Sequence, residues 1–175
     1  MKKQLLIVLL LLTSSFLFAQ KLPPIQLDRP DQTECPFITP KGYIQMENGF
    51  LIETLKNGLN NKYLPSSLIK YGVNEKMELR LSTSISQEKA NGIEKVGITP
   101  ITLGFKTTLF EESGIIPKTS FIGQLTTAKL GTKEYHSDYA EPSFRFVMQH
   151  NLSSKVTLSY NIGRSEEHTS ELQSH

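Results

Sequence analysis

The chain has 175 residues, 38% hydrophobic and 21% charged, with two more basic than acidic side chains. That length bounds it to one domain with a sizeable core, and that composition excludes collagen-like and disordered chains. So small a charge surplus gives no argument for nucleic acid or an anionic lipid surface, and the lone cysteine, Cys35, excludes an internal disulfide framework.

Residues 1–19 read as a secretory signal peptide: Lys2 and Lys3, an unbroken apolar run at 5–12, polar Thr13 to Ser15, and Ala19 before Gln20. The apolar run is well short of the roughly 20 residues that a membrane-anchoring helix needs. Residues 20–42 carry Pro23, Pro24, Pro30, Pro36 and Pro40. Proline fixes φ and removes a backbone donor, so this stretch is expected to be an extended lead-in.

From Tyr43 onward apolar residues recur at every second position, the mark of strands with one apolar face. The first, about 43–55, sets Ile44, Met46, Phe50 and Ile52 against Gln45, Glu47 and Glu53, with Asn48 interrupting the apolar face. Asn57-Gly58 and Asn60-Asn61 mark a loop. The second, 64–73, sets Ile69 and Tyr71 against Lys70 and Gly72. The third, 77–85, sets Leu79 and Leu81 against Glu78 and Arg80. Residues 87–97 read as a long polar loop. The fourth strand, 101–110, sets Leu103 and Phe105 against Gly104 and Lys106. The fifth, about 119–127, carries Phe121 and Leu125 on the apolar face, with Ile122 on the polar one. A second long polar loop spans 129–142. The sixth strand, 143–150, sets Phe144, Phe146 and Met148 against Arg145 and Gln149, and the seventh starts at Val156. No segment has a 3.6-residue apolar period, so the expected fold is all-β, an antiparallel meander of about seven strands forming a partial outer-membrane β-barrel over 43–163.

Two architectures give such alternation in an exported chain. A soluble sandwich turns its apolar face inward, whereas a membrane barrel turns it to lipid and lines its lumen with polar groups. Strand lengths near the 9–11 residues of a tilted crossing favour the barrel. So does the rhythm of short turns, at 74–76, 111–117 and 151–155, with longer loops between them. On that reading Gln45, Glu47, Glu53, Lys70, Glu78, Arg80, Lys106 and Arg145 line the lumen. The soluble alternative has these charges on the outer, wet face of a half-exposed sheet.

The stretch 27–50, LDRPDQTECPFITPKGYIQMENGF, resembles the opening of a bacterial family named for the MetA pathway of phenol degradation. The shared pattern is D-R-P-D-x-T-E (Asp28, Arg29, Pro30, Asp31, Thr33, Glu34), then P-x-G (Pro40, Gly42), then Q-x-E-x-G-F (Gln45, Glu47, Gly49, Phe50). The resemblance continues through SSLIKYGVNEKMELRLS, ITLGFKTTLFEESGIIP and AEPSFRF. It implies an outer-membrane barrel with a channel or uptake role for small solutes, hydrophobic or aromatic molecules among them. Its partners would be outer-membrane lipid and the barrel-assembly machinery, with no cofactor and no nucleic acid. Asp28, Arg29, Asp31 and Glu34 have two readings: they dock into the lumen or guard its mouth, or they pair with one another to anchor the lead-in. Residues 164–175, RSEEHTSELQSH, resemble the in-frame translation of a sequencing adapter, so the natural chain is expected to continue beyond Gly163.

No nucleophile elbow, H-E-x-x-H, phosphate loop or paired-cysteine motif is present, and the chain reads as a non-enzyme. Glu134, His136, Asp138 and Glu141 fall close together, but an external, solvated loop accounts for them.

Overall fold

A computed structural model describes residues 25–28, 34–54, 60–90 and 93–165, with every side chain among them except those of 53–54, 60–61, 63–64, 90 and 93. The expected signal peptide, the 55–59 loop, Arg29, Asp31, the side chain of Glu53 and residues 166–175 lie outside the described residues.

Period-two alternation becomes strands throughout: β1 (Ile44–Thr54), β2 (Asn60–Asn74), β3 (Met77–Ala90), β4 (Ile93–Ile98), β5 (Thr102–Phe110), β6 (Lys118–Thr126), β7 (Glu141–Ser153) and β8 (Val156–Ser165). They pair antiparallel in the order β1-β2-β3-β5-β6-β7-β8, a meander curved into a half-barrel. The last strand runs past Gly163, pairing Arg164 with Phe144 and Ser165 with Ser143.

The 87–97 stretch is not a loop but a hairpin, in which β3 runs on to Ala90 and pairs with β4. Its residues Gln87, Glu88, Lys89, Glu94 and Lys95 have no apolar face, so alternation is silent there. The readable signals were the dipeptide Asn91-Gly92 and the opposite charges that the register aligns, Glu88 with Lys95 and Lys89 with Glu94. Strands β4 and β5 pair with successive stretches of β3, Ile98 opposite Ile85 and Thr102 opposite Ser82. They therefore share one lane, broken near Pro100, which cannot donate to a ladder. Pro65 likewise falls in the register break of β2 between Tyr63 and Ser66. The 129–142 stretch folds back on β4: Ile98 N donates to Thr132 Oγ1 at 2.8 Å, and the Tyr135 hydroxyl donates to Ser86 O at 3.3 Å.

The sheet is inverted relative to a soluble one. Apolar residues of the convex face stand exposed, Ile44 at 72%, Met46 at 59%, Leu79 at 48%, Leu103 at 46% and Ile162 at 66%. Phe105, Phe121, Phe144 and Phe146 cluster there, with Phe121 5.2 Å from Phe146 and 5.9 Å from Phe105 between ring centroids. The concave face is where burial occurs. Its rungs run Gly72, Glu78, Lys106, Ile122, Arg145 and, one step along, Gln45, Lys70, Arg80, Gly104, Gln124. Glu78 and Lys106 are wholly buried, as are Ile122 and Val147.

Candidate functional site

What buries the concave face is the lead-in. The chain turns at Gly42, whose φ of +78° lies in the left-handed region where a Cβ is strained. The turn lays Pro40 directly over Gly72 of β2, where a Cβ would sit 2.1 Å from the Pro40 carbonyl oxygen. The P-x-G of the lead-in is thus a turn and a crossing, and Gly72 is the gap that admits it.

From that crossing the lead-in runs across the wall. Thr39 N donates to Glu78 Oε2 at 2.6 Å, and Ser120 Oγ donates to the carbonyl of fully buried Pro36 at 2.6 Å. The Lys118 ammonium lies 5.2 Å from the Phe37 ring centroid, a cation–π contact. Lys106 Nζ donates to Cys35 O at 2.9 Å.

Asp28 is the centre of the site. Its carboxylate meets Lys70 Nζ, Arg80 Nη1 and Lys106 Nζ, each at 3.0 Å. It also accepts from Cys35 N at 3.2 Å, while Asp28 N donates to Glu47 Oε2 at 3.0 Å. Burial opposes ionisation of this carboxyl, but Lys106, Arg80 and Lys70 outweigh it and hold it well below the usual carboxylate range. Glu34 bridges two strands, 2.8 Å from Arg80 Nη2 and 3.2 Å from Arg145 Nη1. Wall carboxylates complete the network: Glu47 pairs with Lys70 at 2.6 Å and Glu78 with Arg80 at 3.0 Å. The Cys35 thiol donates to Asp28 Oδ1 at 3.2 Å. Burial, reinforced by the Asp28 charge, pushes its pKa up to about 11, so it is a poor nucleophile at neutral pH.

The sequence-expected residues therefore divide. Glu47, Lys70, Glu78, Arg80, Lys106 and Arg145 come together on the concave face with Asp28 and Glu34. Gln45 joins at the margin, its Nε2 donating to Gln26 O at 2.8 Å. Glu53 is on β1 opposite Asn61, at the far end from the cluster. Of the four lead-in charges, Asp28 and Glu34 dock on wall cations, while Arg29 and Asp31, with which the second reading would pair them, lie outside the described residues. Glu47, Lys70, Glu78, Arg80 and Lys106 face a protein segment and not bulk water, whereas Arg145 is half-exposed. Sequence reasoning missed Cys35, Thr39 and Ser120: Thr39 acts through its amide, Cys35 through amide, carbonyl and thiol, and Ser120 through a hydroxyl on a lead-in carbonyl, none of which leaves a charge pattern in the sequence. Among the described residues no group of three or more His, Cys, Asp or Glu could hold a metal ion. His136 instead hydrogen-bonds Gly131 O at 3.2 Å.

The arrangement is chemically a fastening and a charge balance. Four wall cations (Lys70, Arg80, Lys106 and Arg145) face two wall carboxylates (Glu47 and Glu78), and among the described lead-in residues Asp28 and Glu34 offset the surplus. Beyond the lead-in the concave face opens into a polar recess lined by Gln124, Ser143, Arg145, Asn161 and Gly163.

No curated protein and no solved structure matches the chain. A family model described as "Putative MetA-pathway of phenol degradation" matches residues 27–165, which take in the lead-in carboxylates and every strand of the half-barrel. The chain belongs to that family.

Proposed function

We propose that this chain forms part of the wall of an outer-membrane β-barrel that passes small solutes, with the lead-in narrowing its lumen. The observation that carries the reading is the inversion of the sheet: Ile44, Met46, Leu103 and Ile162 exposed on the convex face, Glu78 and Lys106 buried on the concave one. In water such a face is an unpaired apolar patch, whereas in a bilayer it is solvated by lipid. The charged wall then sets which solutes pass, as charged linings do in other pores. The family description motivates phenolic or other small aromatic solutes.

A second reading, a sealed barrel whose loops bind partners, is favoured by the lead-in itself, which leaves Glu78 and Lys106 no contact with solvent. Planar-bilayer recording of the purified protein separates the two. Discrete conductance steps are expected; a protein that inserts into the bilayer and passes no current refutes the channel. Recovery from the soluble periplasmic fraction would refute the membrane barrel altogether.

A further inference from the structure

We propose that the wall cluster is a carboxylate-binding site which the lead-in occupies in cis, so that a small monocarboxylate and the carboxylates of Asp28 and Glu34 compete for Lys70, Arg80, Lys106 and Arg145. This names a solute class for the barrel and rests on the channel reading for its physiological use, although the site itself lies within one folded unit.

Three features of the wall carry it. The receiving groups are borne by the sheet and not by the lead-in: Lys70 on β2, Arg80 on β3, Lys106 on β5 and Arg145 on β7. Ladder pairing holds those strands in register, so the cations stay positioned when the lead-in is away. Second, three of them converge at 3.0 Å on one carboxylate, the charge-assisted geometry that a free carboxylate also satisfies. Third, the wall alone carries an uncompensated surplus, because Glu47 and Glu78, though they touch Lys70, Arg80 and Lys106, bring two negative charges against four cations. Arg80 Nε, buried and without a partner among the described residues, offers a further donor. The lead-in is fastened chiefly by polar contacts, and those of Asp28, Glu34 and the carbonyls of Cys35 and Phe37 all pass through these cations, so an anion that satisfies the cations weakens its hold.

Cys35, the single cysteine, reports on the site. Its amide and thiol both hydrogen-bond Asp28, so the thiol is shielded while the lead-in is docked. The experiment follows maleimide labelling of Cys35 in the full chain, folded in detergent micelles, as acetate replaces chloride at constant ionic strength and pH. A tethered ligand competes at millimolar effective concentration, so roughly 0.1 M acetate suffices to displace it. The expected result is a saturable acceleration of about tenfold, equal to about 1.4 kcal/mol of displaced docking. Lys106→Gln is expected to label fast in either salt. Equal rates in acetate and chloride for the wild-type chain overturn the proposal, whether or not Lys106→Gln folds. So does wild-type labelling as fast as that of the urea-unfolded chain, since the lead-in would then not be docked. Conductance without an acetate effect sinks the site and spares the channel; an acetate effect without conductance does the reverse.

Discussion

Replacing Asp28 by Asn keeps the volume and one acceptor oxygen and removes only the charge. Three cations, Lys70, Arg80 and Lys106, then lose the carboxylate they share at 3.0 Å, in a place where the Asp28 side chain is 1% exposed. Breaking a buried ion pair from one side costs about 3–5 kcal/mol, because the remaining charge is left buried. Here the loss falls on lead-in docking and not on the sheet, whose ladder does not pass through Asp28. Glu34 and Glu78 continue to hold the segment through Arg80, Arg145 and Thr39 N, so the lower end of the range applies. Amide exchange over residues 34–40 should therefore accelerate on the order of 10²-fold, at 1.4 kcal/mol per factor of ten. Mass spectrometry of the full chain reads this directly, with peptides from β6 as the internal reference. Unchanged exchange at 34–40 would refute the claim that the cluster fastens the lead-in. Equal acceleration at 34–40 and in β6 would show that Asp28 supports the whole sheet.

Gly72→Ala places a Cβ 2.1 Å from Pro40 O and must lift the crossing, whereas Gly49→Ala meets nothing within 4 Å. Exchange at 34–40 is expected to rise in the first variant and not in the second. Acid acts on Asp28 with a definite sign: its folded pKa is depressed, so its contribution is complete above the ordinary value of 3.8 and is lost only as pH falls toward the lower folded value. Pepsin should then leave the lead-in uncut at about pH 4 and cleave it at about pH 1 to 2; cleavage equally fast at both would contradict the depressed pKa. Leu103→Lys tests the inversion: on a lipid face it costs up to about 4 kcal/mol according to depth, and on a wet face less than about 0.5 kcal/mol. Refolding into lipid vesicles, scored by heat-modifiable gel migration, should fail or weaken for Leu103→Lys and persist for Gln124→Lys on the concave side.

Most of the fold was legible because β strands with one apolar face write their geometry into the sequence. Tyr71, Leu79 and Phe105 against Gly72, Glu78 and Lys106 is a pattern that the register confirms rung by rung. The β3–β4 hairpin was illegible to that signal because Gln87, Lys89 and Glu94 interrupt the face that carries Ile85, Val96 and Ile98. Ile122 looked like a break in alternation and is instead a fully buried residue of the concave face. The site was half legible. Charges at Lys70, Glu78, Arg80 and Lys106 stood out as costly mid-strand positions, but alternation describes a strand's own faces. It is silent about what an irregular segment does after it turns at Gly42.

That segment is suited to its place by what proline removes. Pro36 and Pro40 have carbonyls but no N–H, so a stretch built around them offers more acceptors than donors. The concave wall has the opposite imbalance, since Lys and Arg only donate. The structure matches the two. Lys106 donates to the carbonyls of Cys35 and Phe37, Lys70 to that of Gln26, and Ser120 to that of Pro36. The few lead-in donors that point inward find the wall's carboxylates, Asp28 N at Glu47 and Thr39 N at Glu78. An apolar plug would strand these cations, and a helix would spend its carbonyls on itself. An extended, proline-rich strip leaves them free for the wall, which is why Gln26, Cys35, Pro36 and Phe37 can all give their carbonyls to wall donors.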